Sequence, residues 1–162
     1  MDLYERVGHI HIHTVHSDGN KDYEEIADVA NDLGLDYLIV TDHNFYTSEK
    51  QGWYRRTLIL TGEEVADPGD GGKNHYLVMG AGQAMAPFAG DPQRLIDAVR
   101  RHGGLGFLAH PCERSGALVD EPEIDWTAWN VEGYDGLEIW NYMSEFKSCV
   151  DDLARTLLYV LI

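Results

Sequence analysis

The stretch GHIHIHTVHSDGN, residues 8–20, carries four histidines in close succession: His9, His11, His13 and His16. Ile10 and Ile12 separate the first three, and Ser17, Asp18 and Gly19 follow. Alternation with β-branched residues predicts a strand. Residues two apart on a strand face the same side, so His11 and His13 form a pair of imidazoles on one face. Neutral imidazole is a good ligand for zinc, iron and similar ions. The stretch thus predicts a strand whose end carries metal-binding chemistry.

Working outward, DYEEIADVANDLG (22–34) predicts a helix. Ile26, Val29, Ala30 and Leu33 recur at helical spacing, the first turn is acidic, and Gly34 marks the stop. LDYLIVTD (35–42) is a short apolar run, as in a buried parallel strand. TSEKQGWYRR (47–56) predicts a short helix, TLILTGEEVA (57–66) a strand, DPGDGGK (67–73) a turn-rich loop, and NHYLVMGAG (74–82) a further strand. DPQRLIDAVRRHGG (91–104) has Asp91 as helix N-cap, Pro92 in the first turn and glycines at the stop. LGFLAHP (105–111) and GLEIW (136–140) are strands. Between them residues 112–135 lack a clear period and hold two tryptophans, and a loop of this length is usually functional or mobile. Residues 145–162 are helical, with Phe146, Val150, Leu153, Leu157 and Leu161 on one stripe. Strands alternating with helices predict an α/β fold with a largely parallel sheet.

The chain has 162 residues, which predicts one domain over 1–162. With 44% hydrophobic residues it can bury a core. A net charge of −16 argues against a nucleic-acid surface, which needs clustered Lys and Arg. It does not exclude a small anionic substrate, because a bound divalent ion reverses the local field. Cys112 and Cys149 do not make a secreted disulfide framework. No signal peptide and no membrane-length apolar run are read, so a cytoplasmic location and no membrane partner are expected.

The remaining chemistry falls at one end of each predicted strand: His43 in VTDHN, Glu64 in TGEEV, His75 in NHYLV, His110 in LAHP and Glu138 in LEIWN. In parallel α/β folds the C-terminal strand ends and their loops form the functional rim. Imidazoles and a carboxylate meeting there suit a metal site, and a carboxylate can bridge two metals.

HIHTVHSDG, VTDHN, TGEEV, NHYLV, LAHP and LEIWN, in that order from His11 to Asn141, resemble the polymerase and histidinol phosphatase (PHP) family of metal-dependent phosphoesterases. The resemblance implies a distorted, TIM-like (β/α)7 barrel with two or three divalent ions (Zn, Mn or Fe) at the C-terminal strand ends. It implies that His11 and His13 bind one metal, that Asp18 is the acidic residue of Ser-Asp-Gly, that His43 is the Asp-His ligand, and that Glu64 bridges. His75 and His110 match partners of a second metal. The implied reaction is hydrolysis of a phosphate mono- or diester, with Glu64 and metal-activated water at its centre. Some members of the branch whose LEIWN segment is similar act on non-phosphate esters. A non-catalytic, degenerate metal-binding module is the competing reading.

Family members close with a Gly-Ser-Asp-x-His-like strand, and nothing similar follows Glu138. The last apolar stripe has no cap, so the barrel is expected to be incomplete, its end cut short or packed on something else, with self-association as one outcome.

Single residues also have plainer readings. His9 is expected near the far end of the barrel, His16 on the rim, and His102 at a helix C-terminus that suits a cation. Glu63 and Glu64 point to opposite faces, so only one reaches the site. Asp42 and Glu138 are expected to orient neighbours rather than bind metal. Cys112 is expected to be a small buried thiol. Arg114, and with it Asn44, are candidates for contacting a substrate anion.

Overall fold

The computed structural model describes residues 3–115, 122–150 and 156–157. Seven strands form a curled, open sheet: β1 (Gly8–Ile12), β2 (Tyr37–Val40), β3 (Gly52–Tyr54), β4 (Thr57–Val65), β5 (Tyr76–Met79), β6 (Leu105–Leu108) and β7 (Gly136–Leu137). The order is β1-β2-β4-β5-β6-β7, with β3 added to β4. The described strands do not close into a barrel: β1 and β7 remain at opposite edges.

The sheet is mixed rather than largely parallel. β1, β2 and β4 run parallel, but β5 is antiparallel to both β4 and β6, and β6 and β7 are parallel again. A parallel neighbour needs a crossover of a dozen or more residues. The return from β4 to β5 has only a loop, tightened where Asp67 accepts from the Gly69 N–H in the 3-10 turn Pro68–Asp70, so β5 comes straight back. This inversion carries the start of β5 to the same rim as the C-terminal ends of its neighbours.

The predicted helix over 47–56 is replaced by β3, which pairs antiparallel with the first half of β4. The sheet edge offers this backbone partners that a short exposed helix lacks. Asn31 anchors the hairpin, donating to the Tyr54 carbonyl at 2.9 Å and accepting the Arg56 N–H at 3.2 Å.

Helix α1 (Tyr23–Leu33) starts with a capping box between Asp22 and Glu25 and stops at Gly34, whose φ of 77° suits glycine. Its inner face is Tyr23, Ala27, Ala30 and Asn31, packed towards Val40 and Ile59. Of the four residues expected inward, Ala30 is buried and Ile26 half-buried, while Val29 and Leu33 are 56% and 71% exposed. The small stripe wins because alanine lets the helix lie close to the sheet, and Asn31 finds its partners only there. Helix α2 (Pro92–Arg101) follows the sequence closely: Asp91 caps it, and Leu95, Ile96, Ala98 and Val99 are buried. These join Tyr76, Val78, Leu108 and Trp126 in the larger core, so the loop after β6 is partly core. His102 hydrogen-bonds through Nδ1 to the Ala98 carbonyl at 2.8 Å, a helix-end role.

Helix α3 (Tyr142–Cys149) begins under an Asn141 cap. Phe146 of the expected stripe is exposed and Val150 half-buried; Leu157 is exposed, and Leu153 and Leu161 lie outside the described residues. Cys112 is exposed, not a buried thiol. No described helix is long and apolar enough to cross a membrane.

Candidate metal centre

His11 breaks the regular pleat of β1. It sits at φ 60° in a register shift between Ile10 and Ile12. A bulge re-aims a side chain, and here it helps His11 and His13 converge although His13 lies beyond the strand. Non-glycine residues with positive φ include His11, Asn44, Asn74 and His110, each a candidate ligand or next to one. Such conformations cost on the order of 1–3 kcal/mol each and gather at functional sites.

The Ser-Asp-Gly turn is fixed from below by Asp42. This buried carboxylate accepts from the Thr14 N–H at 2.6 Å, Thr14 Oγ1 at 2.7 Å, Ser17 Oγ at 2.7 Å and the Tyr23 hydroxyl at 3.3 Å. Gly19 is required because a Cβ there would lie 2.3 Å from the His13 carbonyl oxygen. The turn leaves Asp18 with one oxygen 3.2 Å from His13 Nδ1 and the other 3.6 Å from His43 Nε2. Asp42 therefore positions the loop, as its place before His43 suggested.

Glu64 stands at the centre. A parallel bridge pairs it with His43, while β5 pairs it with Leu77 on the other side. Its Oε1 is 2.7 Å from His75 Nδ1 and 3.0 Å from His110 Nε2. Its Oε2 is 3.1 Å from His11 Nε2, 3.0 Å from His13 Nε2 and 3.3 Å from His43 Nδ1. Five imidazoles thus face one buried carboxylate. Burial opposes its charge, but the imidazoles of His11, His110, His13 and His75 outweigh burial and hold its carboxyl well below the usual range. Burial likewise opposes charge on His11, yet Glu138 and Glu64 raise it to about 10. His43, lacking such compensation, is lowered by burial despite Glu64.

Oε2 of Glu64 makes no hydrogen bond although it is fully buried and three ring nitrogens surround it. Buried polar atoms are nearly always satisfied, and an exception calls for a physical reason. Donor atoms crowded around a common point without hydrogen-bond geometry fit a set that shares a cation. Three groups have ligand atoms within 4.8 Å of one another: His11, Glu64 and His110; His43, Glu64 and His75; His13, Asp18 and His43. Every candidate ligand read from the sequence falls in one of them, but the partners differ from those expected: His11 groups with His110 rather than with His13, and His75 with His43 rather than with His110.

Glu138 has the orienting position expected of it. It accepts from His11 Nδ1 at 2.7 Å and from the His110 N–H at 2.9 Å. Glu63 points the other way and accepts the N–H groups of Met85 and Ala86 at 2.6 and 3.2 Å. His9 is exposed and lines the cleft, not the far end of the barrel where it was expected, and His16 is exposed with its ring stacked on Phe45.

Two candidate substrate contacts are not borne out in geometry. The Asn44 amide is committed to Ala66, donating to its carbonyl at 2.9 Å and accepting its N–H at 3.2 Å. Arg114 is exposed and does not line the cleft. A turn that sends Glu113 inward leaves its neighbour facing solvent.

Glu113 and Lys147 were missed. Both are buried, paired with each other, and Ser144 donates to the same carboxylate. Glu113 follows His110 by three residues, a spacing that could have flagged it; nothing local points to Lys147. The cleft measures about 720 Å³. Besides the histidines, Ile10, Leu137, Ile139, Trp140, Tyr142 and Met143 line it with apolar side chains.

No protein-family model matches the chain, and no curated protein matches it. A solved structure of a predicted metal-dependent phosphoesterase from Bifidobacterium adolescentis is similar over 95% of this chain and 84% of its own, at 16% identity and a TM-score of 0.54. A two-domain protein from Bacteroides vulgatus, containing a predicted PHP-like metal-dependent phosphoesterase, matches over 65% of this chain at 22% identity and a TM-score of 0.44. The chain spans 35% of that protein's length. The Bifidobacterium likeness is one of fold: over most of its length the chain is built like that metal-dependent phosphoesterase.

Proposed function

We propose that this chain is a metal-dependent hydrolase acting on a phosphate mono- or diester. The observation that carries the reading is Glu64: a buried carboxylate among five imidazoles, with one oxygen left without a hydrogen bond. We assign His11, Glu64 and His110 to one ion, His43, Glu64 and His75 to a second, and His13, Asp18 and His43 to a third where three are held. Imidazole and carboxylate suit zinc, manganese or iron. Divalent ions bound there would supply Lewis acidity to a phosphoryl oxygen and lower the pKa of water towards neutrality.

The residues do the rest. Glu64 holds the imidazoles to a common centre. Glu138 fixes the His11 ring and the His110 backbone together. Asp42 holds the loop that presents His13 and Asp18. The acidic surface makes metal the means by which an anionic phosphate ester is attracted, since the net charge is −16.

A hydrolase of non-phosphate esters is the second reading. The apolar part of the lining favours it, together with the absence of a lysine or arginine other than Lys147 among the described lining residues. Elemental analysis and chromogenic phosphate mono- and diesters, assayed with added zinc or manganese, separate the readings. The doubly substituted His13→Ala/His110→Ala protein is expected to lose metal and turnover together. Unchanged metal stoichiometry in that variant overturns the assignment. Metal binding by the unaltered protein with neither ester cleaved turns the choice to a non-phosphate ester or a non-catalytic module.

A further inference from the structure

Behind His110 lies a buried charge pair that the proposed reaction does not use. Glu113 and Lys147 are each about 4% exposed. Their side chains form an ion pair, and Ser144 Oγ donates to the other oxygen of Glu113. Ser144 and Lys147 lie three apart on α3, so one helix face grips the carboxylate from two sides. A buried ion pair is weak support for stability, because desolvation offsets the attraction. Its placement suggests another role.

His110 is held at three points. Its N–H donates to Glu138, its Nε2 faces Glu64, and its carbonyl accepts the Glu113 N–H at 3.0 Å. The fourth point is open: Nδ1 is buried and makes no hydrogen bond. The atom it faces is Glu113 Oε2, at 3.7 Å, on the side of the ring away from Glu64. A histidine that binds metal through one nitrogen commonly donates from the other to a carboxylate, which sets tautomer and ring orientation.

We propose that Glu113, gripped by Ser144 and Lys147 of α3, is a positioning residue for His110: it accepts the Nδ1–H and so turns the Nε2 lone pair to the ion shared with Glu64 and His11. Lys147 keeps the Glu113 carboxylate neutralised and out of the ligand set, and the grip makes α3 part of the metal site. The inference rests on the metal-centre reading above.

The test is zinc binding measured by competition with a chromophoric chelator, with thermal unfolding in chelator measured alongside. The doubly substituted Glu113→Gln/Lys147→Met protein removes both charges of this pair together. Its zinc affinity at one site is expected to fall about 10–100-fold, while the melting point without metal stays close to that of the unaltered protein. Ser144→Ala is expected to give a smaller loss in the same direction. In zinc-loaded protein, nitrogen-15 spectra should show His110 protonated at Nδ1, with that signal altered in the double variant. Unchanged zinc affinity and an unchanged His110 tautomer in the double variant overturn the proposal, whether or not its melting point falls. Failure of the unaltered protein to bind zinc overturns the metal centre itself, and this inference with it.

Discussion

Glu63 and Glu64 are adjacent on β4 and equally buried, at 1% exposure each. Their surroundings are opposite. Glu63 meets two backbone N–H groups and no basic side chain; burial raises its carboxyl above the ordinary value even though the Met85 and Ala86 N–H groups pull it down. Glu64 meets five imidazoles, and those of His11, His110, His13 and His75 overcome its burial. One carboxylate closes a turn of chain, while the other gathers ligands from β1, β2, β5 and β6. Side-chain alternation on a strand decides which does which. The lesson is that burial alone does not mark a functional acid; the chemistry of its partners does.

The sharpest way to break the comparison is Glu64→Gln. The amide keeps the shape but loses the charge the ions require, and metal content is expected to fall to background by elemental analysis. If the phosphoesterase reading holds, kcat/KM for a chromogenic ester falls about 10³-fold or more, matching several kcal/mol of lost Lewis-acid stabilisation. Glu63→Ala should do the reverse. Two N–H groups lose their acceptor, so unfolding by denaturant is expected to become easier by about 1–3 kcal/mol. Its metal stoichiometry should match the unaltered protein. A Glu63 variant that loses metal while folded would erase the distinction between the two faces of β4.

Much of this contrast could be read before any fold was known. His11, His13, His43, Glu64, His75 and His110 stand at strand ends in the sequence, and each is found in a ligand group. Local signals sufficed because each ligand is placed by its own strand. Inversion of β5 was not legible, since a strand reads alike in either direction. Trp53 and Tyr54 were misread because the edge they pair with is supplied by Thr57–Ile59, not by their own pattern. The grip on Glu113 was invisible for the same reason: Lys147 is 34 residues away along the chain. Asn44 looked available because its sequence neighbours do not include Ala66, which occupies both ends of its amide.

The smallest expected effect follows from His11, which lies only on the Glu64 face. Burial opposes its charge, but Glu138 and Glu64 raise its pKa from 6.5 to about 10 in the metal-free fold. A raised folded-state pKa contributes stability that is fully present below 6.5 and is lost as pH rises through about 10. Chelator-treated protein should therefore melt at a lower temperature at about pH 9.5 than at about pH 7, and His11→Asn should flatten that slope. Bound zinc should reverse the trend, because metal competes with protons for the same imidazoles and binds more tightly as they leave. Glu63→Ala should shift both curves downwards without changing either slope. A metal-free slope that survives His11→Asn would place the titrating group elsewhere and weaken the view that the Glu64 face alone couples folding to protons and metal.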